Sequence, residues 1–91
     1  MLNSPNKLKL GVFGVNVSSG CSMTSVPDTI KVEWDESMRI AQAADRAGIE
    51  GMIPVARWRG MGGTVNFNHR NFYPFTWAAG LAAVPEKSAL F

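Results

Sequence analysis

Arg57, Trp58 and Arg59 stand together, and Gly60, Gly62 and Gly63 follow at once. These residue types suit capture of a planar anion. Each guanidinium offers a fork for phosphate or carboxylate, and the indole offers a face for stacking. Glycines let backbone approach such a ligand closely. Their spacing matches neither the dinucleotide nor the P-loop fingerprint, so they read as loop hinges. His69 is the single histidine. Its type can exchange a proton or a hydrogen bond near neutral pH. Cys21 is the single cysteine, which excludes an intrachain disulfide and fits a reducing cytoplasm. One Cys and one His make no metal cluster. Cys21 is expected to be a buried, inert thiol.

These residues need elements to position them. LKLGVFGVN over 8–16 reads as a buried strand, because buried parallel strands are near-continuously apolar. It ends on Asn16, where a side-chain amide could meet a substrate or cap a turn. Residues 17–33 are rich in Ser, Thr and Gly and read as a long loop. A helix is expected from Asp35, its N-cap, to a stop at Gly48. Met38, Ile40, Ala41, Ala44 and Ala47 form its apolar stripe, and Asp35 and Arg39 an i, i+4 pair. A second strand spans 49–56, with Pro54 needing a bulge or a non-bonding place near its end. The glycine loop then runs over 57–71. A second helix is expected over 72–84, with Pro74 in its first turn. Between Phe75 and Pro85 there is no charged residue, which predicts a helix buried on every side. Residues 88–91 read as the start of a third strand, and residues 1–7 as a loose polar leader.

Strand, helix, strand, helix, strand implies an α/β fold with parallel strands and right-handed crossovers. The chain has 91 residues, 46% hydrophobic and only 18% charged. Two and a half βα units leave bare sheet edges, so residues 1–91 are expected to be one part of a larger domain. A net charge of +2 is too small to argue for nucleic acid. There is no run of 18 or more apolar residues to argue for a membrane span, and Met1 to Lys9 is polar and lacks the apolar core expected of a signal peptide.

Several segments together resemble one family. LGVFGVNVSSG over 10–20, Trp34-Asp35, AQAADRAGIE over 41–50, MIPVARWRGMGG over 52–63 and FTWAAGLAAV over 75–84 look like the luciferase-like flavin-dependent monooxygenases. The nearest branch holds pyrimidine oxygenase and the alkanesulfonate monooxygenases. The resemblance covers most of residues 8–91. It implies a (β/α)₈ TIM barrel, of which this chain would be the N-terminal βαβαβ portion, incomplete and by itself inactive. It implies reduced FMN, delivered by a separate flavin reductase, with O2 and a small organic substrate. It implies cofactor contacts from Ala56 and Arg57, at the end of the second strand. Asn16, Trp58 and His69 become candidates for substrate contact, and the catalytic residues stay unassigned. Relatives often dimerise near segment 75–84, so a homodimer through that helix is expected. Departures stand at Tyr73-Pro74, where the family often has Glu-Ser, and at 85–88, where its usual polar residues are replaced.

Two other readings compete. The same barrel could use a deazaflavin for hydride transfer. A small binding module could grip single-stranded nucleic acid with Arg57, Arg59 and Arg70 among Trp58, Phe67, Phe72 and Tyr73. The low net charge and the βα order weigh against the latter.

Overall fold

The computed structural model describes residues 3–91. Its elements run β1 (Gly11–Phe13), α1 (Trp34–Arg46), β2 (Gly51–Ile53), α2 (Pro74–Leu81) and β3 (Ala89–Leu90). The strands form one parallel sheet in the order β1-β2-β3. The α/β alternation is therefore present, in shorter elements than the sequence suggests. β1 stops at Phe13 because Gly14 turns the chain at φ +73°. β2 stops at Ile53, which leaves Pro54 just past the ladder, where a missing N–H costs nothing.

Register sorts the side chains onto two faces. Val12, Met52 and Leu90 are aligned across the strands. They join Ala41 and Ala44 of α1 and Trp77 and Leu81 of α2 in one apolar cluster, with Met52 fully buried. Both helices thus cover the same face. Consecutive right-handed crossovers along one direction produce this arrangement, whereas a doubly wound sheet reverses and uses both faces. The other face carries Gly11, Gly51 and Ala89 in one row and Phe13 and Ile53 in the next. Phe13, Ile53, Leu10 and Phe91 are all exposed there. Parallel sheets are normally buried on both faces; here one apolar face is left open among the described residues.

Helix α1 starts at Trp34. The Glu33 carbonyl already accepts the Ser37 N–H at 3.1 Å, which makes Glu33 the cap residue. Asp35 is thus a first-turn residue, favourable to the dipole, and not the expected cap. Glu36 reaches back to the Lys31 N–H at 2.9 Å, and Arg39 pairs with Glu36 at 3.6 Å instead of with Asp35. At the other end the expected stop is observed. Gly48, at φ +78°, donates to Asp45 O, and Ile49 donates to Ala44 O, the paired bonds of a Schellman motif. Ala47, expected on the buried stripe, is exposed, and Ser37 takes a buried place instead. The Trp77 indole N–H donates to Ser37 Oγ at 3.1 Å, so a polar side chain joins the core by satisfying an indole.

Helix α2 departs most from expectation. Only Trp77 and Leu81 are buried, and Phe75 is 76% exposed. The uncharged outer face is therefore bare in this chain. Gly80 serves a contact within the chain. A Cβ there would lie 2.5 Å from the Trp34 ring, so its absence lets that indole cross the helix.

Two carboxylates pin the connections. Glu50 is buried and accepts from the Ser4 hydroxyl, from Asn6 Nδ2 at 3.1 Å and from the Leu10 N–H at 3.0 Å, with Lys9 Nζ 3.8 Å away. Ser4 and Asn6 are thus tied down, not part of a loose leader; Met1 and Leu2 lie outside the described residues. Asp45 accepts the backbone N–H groups of Glu86, Lys87 and Ser88 at 3.0, 2.9 and 2.7 Å. It holds the α2–β3 connection against the end of α1.

Candidate functional site: the loops at the carboxyl ends of β1 and β2

Two long loops leave the carboxyl ends of β1 and β2, and several side chains stitch them together. Asn16 is the central stitch. It is fully buried, and its Nδ2 donates to Val55 O at 3.0 Å and Phe72 O at 2.9 Å. Its Oδ1 accepts the Val55 N–H at 2.7 Å. The side chain continues the β1–β2 ladder where Pro54 and Gly14 have ended it. Both amide protons are engaged by backbone, so Asn16 positions the loops and turns no free donor outward.

Further along, Val17 bridges Asn71, and the Ser18 N–H donates to Arg70 O at 2.9 Å. Asn68 is buried in a left-handed conformation at φ +56°. In the orientation its surroundings demand, its amide donates to Ser18 O at 2.8 Å and Gly20 O at 3.0 Å. Asn66, at φ +44°, accepts the Gly62 N–H on its Oδ1 at 3.0 Å. A Cβ on Gly60 would collide with Asn66 and His69, so the loop closes on itself there. Gly60 is thus a packing position, while Gly62 and Gly63 take φ +79° and +73° in open space, as hinge glycines would. None of Asn66, Asn68 and Asn71 stands out by charge or hydrophobicity. The available signal was Asn itself, the residue after Gly that best tolerates left-handed backbone.

The expected site residues fall at separate places along this frame. Ala56 is exposed and borders an open apolar cleft of about 330 Å³ past the end of β2. Arg57 is half-buried. Its carbonyl accepts from Asn71 Nδ2 at 2.8 Å, and its Nη1 meets the Met61 sulfur at 3.3 Å. Its Nε is buried with no acceptor, and no carboxylate pairs with it among the described residues. A buried, unpaired guanidinium nitrogen is costly, and an anionic or carbonyl ligand would satisfy it. Trp58 is wholly exposed and stacks on no aromatic ring among the described residues. His69 is exposed at its loop. Its Nδ1 lies 3.1 Å from Asn66 O and 3.3 Å from Ser18 Oγ. A carbonyl only accepts, so the contact with Asn66 O is a hydrogen bond in the tautomer that carries its proton on Nδ1. Ala56 and His69 border different clefts, the second shared with Ser18, Lys31 and Arg70. Cys21, expected to be buried, is exposed, with its thiol 3.6 Å from Phe13 O. Among the described residues no group of three or more His, Cys, Asp and Glu could hold a metal ion. None of their helices is long and apolar enough to cross a membrane.

A parallel sheet with helices on one face and stitched loops at its carboxyl end is the plan of α/β enzymes that bind ligands at that end. No protein-family model matches the chain. It is, however, similar to curated pyrimidine monooxygenases named RutA. The one from Variovorax paradoxus is 30% identical over 84 residues, 92% of this chain. Those from a Bradyrhizobium species and from Agrobacterium fabrum are 32% and 31% identical over the same length. The chain spans 23% of the length of these relatives. They represent the luciferase-like, flavin-dependent monooxygenases, and the resemblance read from the sequence holds at that level.

Proposed function

We propose that this chain supplies one wall of the reduced-FMN pocket of a luciferase-like monooxygenase acting on a small organic substrate, with the pyrimidine monooxygenases it resembles as a guide. In this reading the sheet is the first βαβαβ part of a (β/α)₈ barrel and its bare face looks into the barrel. The observation that carries it is Arg57, whose buried Nε has no acceptor at the carboxyl end of β2.

Arg57 fits a flavin by its chemistry. Its guanidinium would meet the ring's anionic or carbonyl edge, and Ala56 would lie beside it with only a methyl group to accommodate. Bound reduced flavin supplies the electrons that activate O2. The chain's own residues hold and shield. Asn16 fixes the ends of β1 and β2 against each other. Trp58 and His69 stand on the loops that would close over a substrate and exclude water. A separate flavin reductase would deliver the cofactor in the cytoplasm, and the apolar outer face of α2, with Phe75 exposed, would form a homodimer contact. The chain alone would not turn over substrate.

The test is an anaerobic titration of the chain with reduced FMN, read by tryptophan fluorescence. Weak, saturable quenching is expected, about tenfold weaker in Arg57→Ala, in line with loss of a charged hydrogen bond. No quenching, or equal quenching in both, overturns the assignment of Arg57. Oxygenation of uracil by the isolated chain would overturn the incomplete-barrel reading.

A further inference from the structure

We propose that Met61 is an oxidation site, and that its sulfoxide captures the Arg57 guanidinium and so withholds it from other acceptors. The oxidation and the capture are properties of this chain alone; only their effect on a bound flavin rests on the oxygenase reading.

The two side chains already meet. Arg57 Nη1 donates to the Met61 sulfur at 3.3 Å. Both backbones are held in place: the Met61 N–H donates to Phe67 O at 3.0 Å, and Asn71 Nδ2 donates to Arg57 O at 2.8 Å. The residue after Met61 is fixed as well, by the bond from the Gly62 N–H to Asn66 Oδ1 at 3.0 Å. A thioether is a weak acceptor, poorly matched to a cationic donor. No carboxylate competes for the guanidinium among the described residues. An oxygen added to this sulfur would therefore arrive beside a charged donor whose present bond is weak. A charge-assisted bond to oxygen is the stronger one.

Met61 is also open to an oxidant. It is 57% exposed, whereas Met52 is fully buried and Met38 packs against the core. Met23 is exposed too, but its sulfur meets no polar group among the described residues. Hydrogen peroxide supplies the oxygen. A lone pair on Met61 Sδ attacks one peroxide oxygen; the S–O bond forms and the O–O bond breaks. Sulfur is oxidised by two electrons, and the departing hydroxide takes up the remaining proton and leaves as water. The product is a polar sulfoxide, which methionine sulfoxide reductases return to the thioether. A weak acceptor thereby becomes a strong one beside Arg57, and the change is reversible.

The test treats the 91-residue chain with hydrogen peroxide, removes the excess and digests a portion with trypsin. The methionines then fall on separate peptides, Met61 on 60–70, Met23 on 10–31 and Met52 on 47–57. Mass spectrometry is expected to find one added oxygen on 60–70 and none on 47–57. No added oxygen on 60–70, under conditions that oxidise 10–31, overturns the oxidation site. In the intact portion the Arg57 side-chain N–H signals, read by nitrogen-edited NMR, are expected to shift. Their exchange with water is expected to slow about tenfold, the worth of a hydrogen bond to a charged group. Treatment with the reductases should restore both. Met61→Leu keeps an apolar side chain at this exposed position and removes the sulfur, so peroxide should leave its Arg57 signals in place. Arg57 signals that stay put in the oxidised chain, or that move equally in Met61→Leu, overturn the capture. Equal FMN binding by Arg57→Ala would overturn the flavin assignment alone, so the two fail separately.

Discussion

The side chain of Asn16 and the backbone of Val55 hold each other in both directions, Val55 N–H to Oδ1 at 2.7 Å and Nδ2 to Val55 O at 3.0 Å. An amide side chain here does what a neighbouring strand would do. Asn16→Ala would leave Val55 N–H, Val55 O and Phe72 O without partners in a buried place. Each such loss costs about 1–3 kcal/mol before relaxation, and a total of about 2–4 kcal/mol is expected. Urea denaturation measures it. A loss below about 0.5 kcal/mol would mean that water replaces the amide freely.

The buried bond from Trp77 to Ser37 makes a second case. Ser37→Ala orphans the indole N–H and should destabilise the chain by about 1–2 kcal/mol. Adding Trp77→Phe removes the orphan but opens a cavity, so the two changes should not add. A double-mutant cycle with no coupling would show that the bond contributes nothing.

Acid should loosen the α2–β3 connection. Burial works to raise the pKa of Asp45, but the N–H groups of Glu86, Ser88 and Lys87, with the Ser88 hydroxyl, outweigh it and hold the carboxyl far below the usual range. The Ser4 hydroxyl, then the Leu10 N–H, Asn6 and Lys9, lower Glu50 against its burial. Both groups stay ionised in the folded chain at pH values where the unfolded chain has bound protons. Their stabilisation is therefore complete above the unfolded values, about pH 4, and lost as pH falls through the folded ones. Asp45→Asn should lower stability at pH 7 and flatten the acid limb below about pH 4, with the slope due to Glu50 remaining. An acid limb identical to wild type would refute the role of Asp45.

Gly48 offers a clean conformational test. Its φ is +78°, and a Cβ added there would meet nothing within 4 Å, so a side chain brings no clash, only backbone strain. Gly48→Ala should cost about 1 kcal/mol, and Gly48→Asn less, because Asn tolerates this region. Thermal unfolding of the two variants checks the order; equal midpoints for Ala and glycine would contradict it.

The alternation of elements was legible because it rests on local chemistry. Apolar runs, the helix stop at Gly48 and the first-turn Pro74 each act within a few residues. The extent of each element was not. Gly14 ends β1, Glu33 displaces Asp35 as the cap of α1, and Arg39 turns to Glu36, all through geometry that propensity does not resolve. The outer face of α2 illustrates a different gap. An uncharged helix implies complete cover, yet cover depends on neighbours, and this chain buries only Trp77 and Leu81 fully.

The candidate site divides in the same way. The residue types at 56–59 already suggested a planar ligand at the end of a strand, and the family resemblance could be read from linear motifs. That Arg57 leaves a buried nitrogen unpaired, that Trp58 is fully exposed and that Asn16 is spent on backbone emerged only when distant segments met. Hydrogen-bond satisfaction is a property of pairs. Asn16 finds Val55 39 residues away and Asp45 finds Lys87 42 away. Sequence alone determined which groups could bond and which stretches would form strand or helix. Tertiary structure decided which of those groups found partners, because burial removes water and leaves each buried donor only the acceptors that the fold brings to it.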